Sequence, residues 1–207
     1  MKLIKQGAEA KLFLSTKDGQ KILVKDRIKK NYRIPQIDEK IRKSRTSKES
    51  NLLSESRRYG IPTPRIFDID KKNHKIIMEY IEGGRIKELL NKSDKKTIER
   101  LCFEIGKLIG KLHSAGIIHG DLTTSNMILR DKKIFFIDFG LGFFSKKIED
   151  QGTDLRLLHE ALKSTHYGIL NVSWENVIKG YREGHLKANL VLNKVSEIEK
   201  RVRYMEK

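Results

Sequence analysis

Cysteine occurs once in these 207 residues, at Cys102, so neither an intramolecular disulfide nor a multi-cysteine metal site can form. Such a chain suits a reducing compartment. Long apolar runs are missing. The N-terminal stretch MKLIKQGAEA is too polar for a signal peptide. No later segment reaches the length needed to span a bilayer. The expectation is a soluble cytoplasmic protein with no membrane partner. Acidic residues are scarce, 27 against 44 Lys and Arg, which leaves a formal charge of +17. Internal repeats and low-complexity segments are absent.

What is present is a chain long enough for one compact unit, or for two small lobes sharing a cleft. Hydrophobic residues at 38% and charged residues at 34% describe a globular but highly charged protein. The cationic surplus favours polyanionic partners such as RNA, or an acidic protein. A lysine-rich solvated surface, as in heat-adapted proteins, is the plainer account of the same charge.

The first part of the chain reads as strands. Leu3 and Ile4 precede a small-residue turn, Gln6 to Ala10. The Asp18-Gly19 pair marks a hairpin, and Ile22 to Lys25 forms the returning strand. A basic stretch broken by Pro35 follows. From Gln36 the spacing of Ile37, Ile41, Leu52 and Leu53 fits one long or interrupted helix, ended by Gly60 to Pro64. Arg65–Ile69 and Lys75–Tyr80 read as two more strands, and Gly83-Gly84 as a hinge. Beyond it the pattern turns helical. Ser93 or Asp94 can cap a helix carrying Ile98, Leu101, Ile105, Leu108, Ile109 and Leu112. Gly106 and Gly110 on that helix allow close packing. Residues 117–140 revert to short strands and loops. Helices follow from Asp154, from Trp174 and around Val191 to Val202. The expected fold class is α+β and bilobal: a small β-rich N-lobe over residues 1–82, then a reduced, mainly helical C-lobe over 83–207.

The chemistry concentrates in His119-Gly120-Asp121-Leu122-Thr123-Thr124-Ser125-Asn126, followed twelve residues later by Asp138-Phe139-Gly140. A lone D-F-G triplet is weak. An H-x-D-x-x-x-x-N octet followed at short range by D-F-G, with apolar strands between, is a strong phosphoryl-transfer signature. A hairpin turning at Arg130-Asp131-Lys132 brings Asp121, Asn126 and Asp138 together. Magnesium is a hard cation held by carboxylates, amides, waters and phosphates. Asp121 is therefore the expected catalytic base, and Asn126 and Asp138 the metal ligands.

Lys25 is the candidate for the α- and β-phosphates, oriented by Glu49 on the following helix, with Glu55 as the rival partner. The turn Gln6, Gly7, Ala8, Glu9, Ala10 is the candidate phosphate loop, although only Gly7 is glycine. Glu9 would repel phosphate unless it points away or meets metal. Met78-Glu79-Tyr80-Ile81 joins the lobes. The backbone at Glu79 and Ile81 is placed to pair with the adenine edge, with Ile22 to Val24 and Ile137 as apolar walls.

These residues resemble the eukaryotic-type protein-kinase superfamily. More closely, the chain resembles the small atypical kinase subunits of the KEOPS (EKC) complex. That likeness rests on the turn at 6–10, on Lys30-Asn31-Tyr32-Arg33-Ile34-Pro35-Gln36-Ile37-Asp38, and on Arg45-Thr46 with Glu49. It also rests on the octet at 119–126, on Asp138-Phe139-Gly140-Leu141 and on Asp150 to Asp154. Departures from ordinary kinases are physically informative. Gly120 replaces an arginine that clamps a phosphorylated segment, and Thr123 replaces a phosphate-binding lysine. The last proline is Pro64, so there is no A-P-E motif. Only thirteen residues separate Gly140 from Asp154, too few for the usual peptide-binding segment.

The resemblance implies ATP and Mg2+ as cofactors, and serine/threonine kinase and ATPase activity in support of tRNA threonylcarbamoyladenosine biosynthesis. It implies as partners the tRNA threonylcarbamoyltransferase subunit, a small regulatory subunit and tRNA itself. The basic tail, Lys200, Arg201 and Arg203, is the implied tRNA contact, the alternative being a plain helix C-terminus. Two other functions stay open. A small-molecule phosphotransferase shares the His-Gly-Asp loop but needs extra helices. A non-catalytic tRNA-binding scaffold would use the charge alone.

Overall fold

The computed structural model of the chain describes residues 1–205, with side chains to Arg201. Strands β1 (Lys2–Gln6), β2 (Ala10–Lys17) and β3 (Gln20–Arg27) form a meander. The β2–β3 turn closes through Asp18 and Gly19, both at positive φ (49° and 75°), as a two-residue hairpin requires. Helix α1 (Pro35–Arg58) follows, then β4 (Ile66–Asp70) and β5 (Lys75–Glu79). The sheet is antiparallel in the order β1-β2-β3-β5-β4.

Helix α1 is a single 24-residue element. Pro35 stands in its first turn, where no intrahelical N–H is needed. Asp38 at its start and Arg57 and Arg58 at its end match the helix dipole. Its inward face differs from the expected apolar spacing. Ile37 is exposed, while Thr46, Glu49 and Ser50 are buried with Leu52 and Leu53. The helix is held to the sheet partly by charge, because its polar stretch covers the cleft rather than the core.

Past β5, β6 (Gly84–Arg85) pairs with β8 (Met127–Arg130), which pairs with β9 (Lys133–Phe136). Gly83-Gly84 is thus packed rather than free to pivot. A Cβ on Gly83 would strike the Leu129 carbonyl. The β8–β9 turn is made by Asp131 and Lys132, both at positive φ. Short helix α2 (Ile86–Leu90) precedes α3 (Lys95–Ser114), whose cap is Asp94, accepting from the Thr97 N–H at 2.7 Å. Strand β7 (Ile117–Ile118) pairs with β10 (Phe143–Phe144). Helices α4 (Ile148–Thr165), α5 (Leu170–Gly184) and α6 (Ala188–Met205) complete the C-lobe. Helix α4 begins six residues before the expected Asp154, so that residue lies inside the helix rather than at its start.

Helices α3 and α5 pack backbone to backbone. Gly110 faces Gly184, its Cβ position 2.8 Å from the Gly184 Cα, while a Cβ on Gly106 would strike the Val177 carbonyl and one on Gly180 the Phe103 carbonyl. Glycine weakens a helix by about 1 kcal/mol per residue. Close contact across two helices offsets that loss through burial and dispersion. One core cluster runs through both lobes, from Leu52, Leu53 and Met78 to Leu155 and Tyr181. Cys102 is buried within it, and desolvation pushes its thiol up to about 11. No helix among the described residues is long and apolar enough to cross a membrane.

Candidate active site

Strand β3 alternates its side chains, so Leu23 and Lys25 face the cleft while Ile22 and Val24 are buried on the other side. Of the apolar wall expected at 22–24, Leu23 alone lines the cavity, joined by Leu12, Met78, Ile128 and Ile137. Lys25 is buried, with its ammonium 2.6 Å from Glu49 Oε1 and 2.6 Å from Asp138 Oδ1. Burial alone would lower the Lys25 pKa, but the two carboxylates together raise it. Glu55 instead pairs with Arg58 at 2.8 Å, so Glu49 is the partner. The second oxygen of Glu49 is bound by the buried Arg27 guanidinium.

The loop that carries Asp121 is fixed from behind. Buried Asp154 accepts the His119 N–H at 2.8 Å and the Gly120 N–H at 2.9 Å. It also lies 3.2 Å from His113 Nε2. His119 Nε2–H donates to the Ile137 carbonyl at 3.2 Å, and its Nδ1 accepts the Asp121 N–H at 3.3 Å. Burial keeps this imidazole neutral, lowering its pKa. Its ring packs on Phe139 with centroids 4.5 Å apart, which ties the two motif loops together. Gly120 has φ +78°, and a Cβ there would lie 2.7 Å from the Leu141 carbonyl carbon. An arginine does not fit that backbone without a shift.

A short 3₁₀ turn, Thr124–Asn126, brings Asn126 back to Asp121. The Asn126 amide donates to Asp121 Oδ2 at 2.8 Å and to the Asp121 carbonyl at 3.0 Å. Among the described residues the amide oxygen of Asn126 and the other Asp121 carboxylate oxygen have no hydrogen-bond partner. Asp138 sits at φ +63°, a left-handed conformation uncommon outside glycine, at the junction of two adjoining cavities. Desolvation works to raise its pKa, but Lys25 prevails and holds the carboxyl low.

One cavity contains Gly7, Ala8, Glu9, Ala10, Lys25, Arg27, Arg45, Asp121 and Asp138. The other contains Glu49, Glu79, Ile81, Asn126 and again Lys25 and Asp138. Gln6, at the end of β1, is exposed and belongs to neither. Glu9 is ion-paired with Arg45 at 2.7 Å and Arg33 at 3.4 Å. Against its desolvation, these arginines lower the Glu9 pKa and neutralise the acid in the turn. The Ile81 N–H has no backbone partner among the described residues, while the Glu79 carboxylate is turned away onto Arg130 at 2.7 Å. Among the described residues no cluster of three His, Cys, Asp or Glu forms a closed metal cage.

Arg27 and Asp154 are site-supporting residues that sequence reasoning did not assign. Arg27 carries a signal, since it stands two residues after Lys25 on the same strand face. Asp154 carries none beyond its place in the Asp150–Asp154 string. Lys200 and Arg201 are exposed, Arg201 pairing with Glu149 at 2.7 Å. The Arg203 side chain lies outside the described residues.

Residues 11–142 match the RIO domain family. A relative from Pyrococcus abyssi, KEOPS complex subunit Bud32, is 52% identical over 100% of this chain and 98% of its own length. This chain belongs to the RIO-domain family, in its Bud32 branch. Other relatives are longer. A probable bifunctional tRNA threonylcarbamoyladenosine biosynthesis protein of Methanothermobacter thermautotrophicus is 41% identical, and the chain spans only 37% of it. A similar protein from Methanobrevibacter smithii is 43% identical, with 36% of its length covered. The crystal structure of the Rio2 kinase-ADP/Mg2+-phosphoaspartate complex from Chaetomium thermophilum superposes with a TM-score of 0.66. It matches 99% of this chain and 72% of that one at 14% identity, a likeness of fold. The RIO-domain fold is the α+β, two-lobed arrangement expected from the sequence.

Proposed function

We propose that this chain binds ATP with magnesium in the cleft between its lobes and acts as a kinase-type ATPase. In that role it would serve a KEOPS assembly that makes threonylcarbamoyladenosine in tRNA. The observation that carries this reading is the meeting of Lys25–Glu49, Asp138 and the Asp121–Asn126 pair around adjoining cavities. Asp121 would orient the attacking hydroxyl or water and accept its proton. Lys25 would pass from Asp138 to the α- and β-phosphates, with Glu49 keeping it in place. The free Ile81 N–H and the Glu79 carbonyl suit the adenine edge, and Gly7 to Ala10 would cover the phosphates. Asn126 and Asp138 have the oxygen donors to hold magnesium, which neutralises charge on the transferring phosphoryl group.

Between Gly140 and α4 there is only the two-residue strand β10, held to β7. That leaves no platform for a peptide, which favours water or the chain's own hydroxyls as acceptor. The names of the similar proteins support KEOPS membership. The threonylcarbamoyltransferase subunit, the small regulatory subunit and tRNA are the proposed partners, with tRNA meeting Lys200, Arg201 and Arg203. The test is phosphate release from ATP by the chain alone, with the transferase subunit, and with tRNA added. The reading expects stimulation by the transferase subunit that Asp138→Ala abolishes. Turnover unchanged by Asp138→Ala would overturn it.

The formal charge of +17 and the exposed Lys200 and Arg201 favour a second reading, a tRNA-binding scaffold. It expects salt-sensitive tRNA binding. It also expects full pathway activity from an Asp121→Ala, Asp138→Ala double variant.

A further inference from the structure

We infer that Arg27 is a positioning residue of this site: it holds Glu49, so that Lys25 is free to leave Asp138 for the polyphosphate of a nucleotide. The inference rests on the nucleotide reading of the cleft and assigns a residue that reading does not use.

Strand β3 places Lys25 and Arg27 on one face, and both line the cavity that contains Asp121. Both are buried, Arg27 at 4% exposure. Between them stands one carboxylate, Glu49, at 1% exposure. Its two oxygens are divided, Oε1 to Lys25 and Oε2 to Arg27. Glu49 is therefore anchored even when Lys25 moves.

The charge count points the same way. Lys25, Arg27 and Glu49 together carry one net positive charge. In this structure Asp138 balances it through Lys25. When Asp138 turns to a metal, the spare charge remains on Lys25 and faces the phosphates. Without Arg27, Glu49 would neutralise Lys25, and that attraction would be lost. A guanidinium suits the task because it stays charged at any working pH and presents a rigid planar fork.

Two further observations place Arg27 beside the reacting groups. A Cβ built on Gly140 would lie 3.0 Å from Asp138 Oδ1, 3.6 Å from Arg27 Nη2 and 3.8 Å from Lys25 Nζ, so the three groups surround one point. The Arg27 Nε is buried with no hydrogen-bond partner among the described residues. A buried donor without an acceptor is uncommon and calls for a reason. An arriving phosphate oxygen or its bound water supplies the acceptor.

The test compares wild type, Arg27→Met, Glu49→Gln and the double variant. Affinity for Mg·ATP and for adenosine is read by calorimetry, and turnover by phosphate release. Arg27→Met is expected to slow turnover by about 10²-fold, as misplacement near the chemistry does. Adenosine affinity should stay within about twofold, a split that a general loss of structure would not produce. The double variant should be no slower than the slower single one, because both changes act through the same carboxylate. Additive effects, or wild-type turnover in Arg27→Met, would overturn the role of Arg27. If Arg27→Met fails to fold by circular dichroism, Arg27→Gln decides, since it keeps a donor for Glu49 but removes the charge. Slowed turnover in that variant supports the inference, and wild-type turnover overturns it. Failure of the wild type itself to bind Mg·ATP would remove the nucleotide reading. Binding by wild type with Arg27→Met undisturbed would remove only the present inference.

Discussion

The Lys25 ammonium and the Asp138 carboxylate, 113 residues apart in sequence, meet at 2.6 Å. In this state each occupies the group that a magnesium nucleotide would need from the other. Asp138→Ala should therefore separate binding from chemistry. Turnover should fall by about 10²- to 10⁴-fold. Metal-free ATP should bind at least as well as to wild type, because Lys25 is released. Equilibrium dialysis with and without magnesium, beside a phosphate-release assay, checks both.

Glu49→Ala leaves two buried cations sharing no carboxylate between them. Removing one partner of a buried ion pair costs about 3–5 kcal/mol. Lys25 keeps Asp138, so the loss should lie near the lower end. Urea unfolding monitored by circular dichroism measures it, with a lowered midpoint at unchanged slope as the expected result.

Asp154→Ala strips acceptors from the His119 and Gly120 amides. Each buried donor left unsatisfied costs about 1–3 kcal/mol. The variant should lose a few kcal/mol of stability, and turnover should fall more than ATP affinity. Asp154 touches neither cavity, so unaltered turnover in a folded Asp154→Ala protein would contradict its positioning role.

Gly180→Ala should be severely destabilising. The added methyl would collide with the Phe103 carbonyl and lie 2.8 Å from its carbon. Overpacking costs about 1–3 kcal/mol, and here the obstruction is backbone, which yields least. Gly168→Ala is the control, since nothing lies within 4 Å of a Cβ there. Thermal unfolding should separate the two by several degrees.

His185 gives a pH dependence. Burial, then the neighbouring His113 and Lys187, depress its pKa to about 4. Its Nε2–H donates to Gln151 Oε1 at 3.2 Å, and its Nδ1 faces the Ser114 hydroxyl at 2.7 Å. A folded pKa below the unfolded value means stability present above pH about 6.5 and lost as pH falls toward 4. The loss is on the order of 3 kcal/mol by linkage. His185→Gln should flatten the pH dependence of the urea midpoint across that window. A wild-type slope in the variant would show that other groups carry it.

Much of the fold was legible because it rests on local rules. The Asp18-Gly19 turn announces the β2–β3 hairpin, and Asp94 with its apolar repeat announces α3. Strands β6 and β10 were not legible. Each has two residues and exists only because a distant strand pairs with it. The exposure of Ile37 was equally hidden, since a helical repeat gives a face but not what that face meets.

The sequence by itself determined the chemical vocabulary of the site: a lysine on the third strand, an H-x-D-x-x-x-x-N loop and a D-F-G turn. Such motifs persist at fixed spacing because neighbouring residues must share one turn or strand. The tertiary structure alone decided which charges meet. It chose Glu49 over Glu55, brought Arg33 and Arg45 onto Glu9, set Arg27 behind Glu49 and seated Asp154 under the His119–Asn126 loop. Those choices depend on burial and on distances of a few ångströms between remote segments, and the energy of a charge changes most steeply with both.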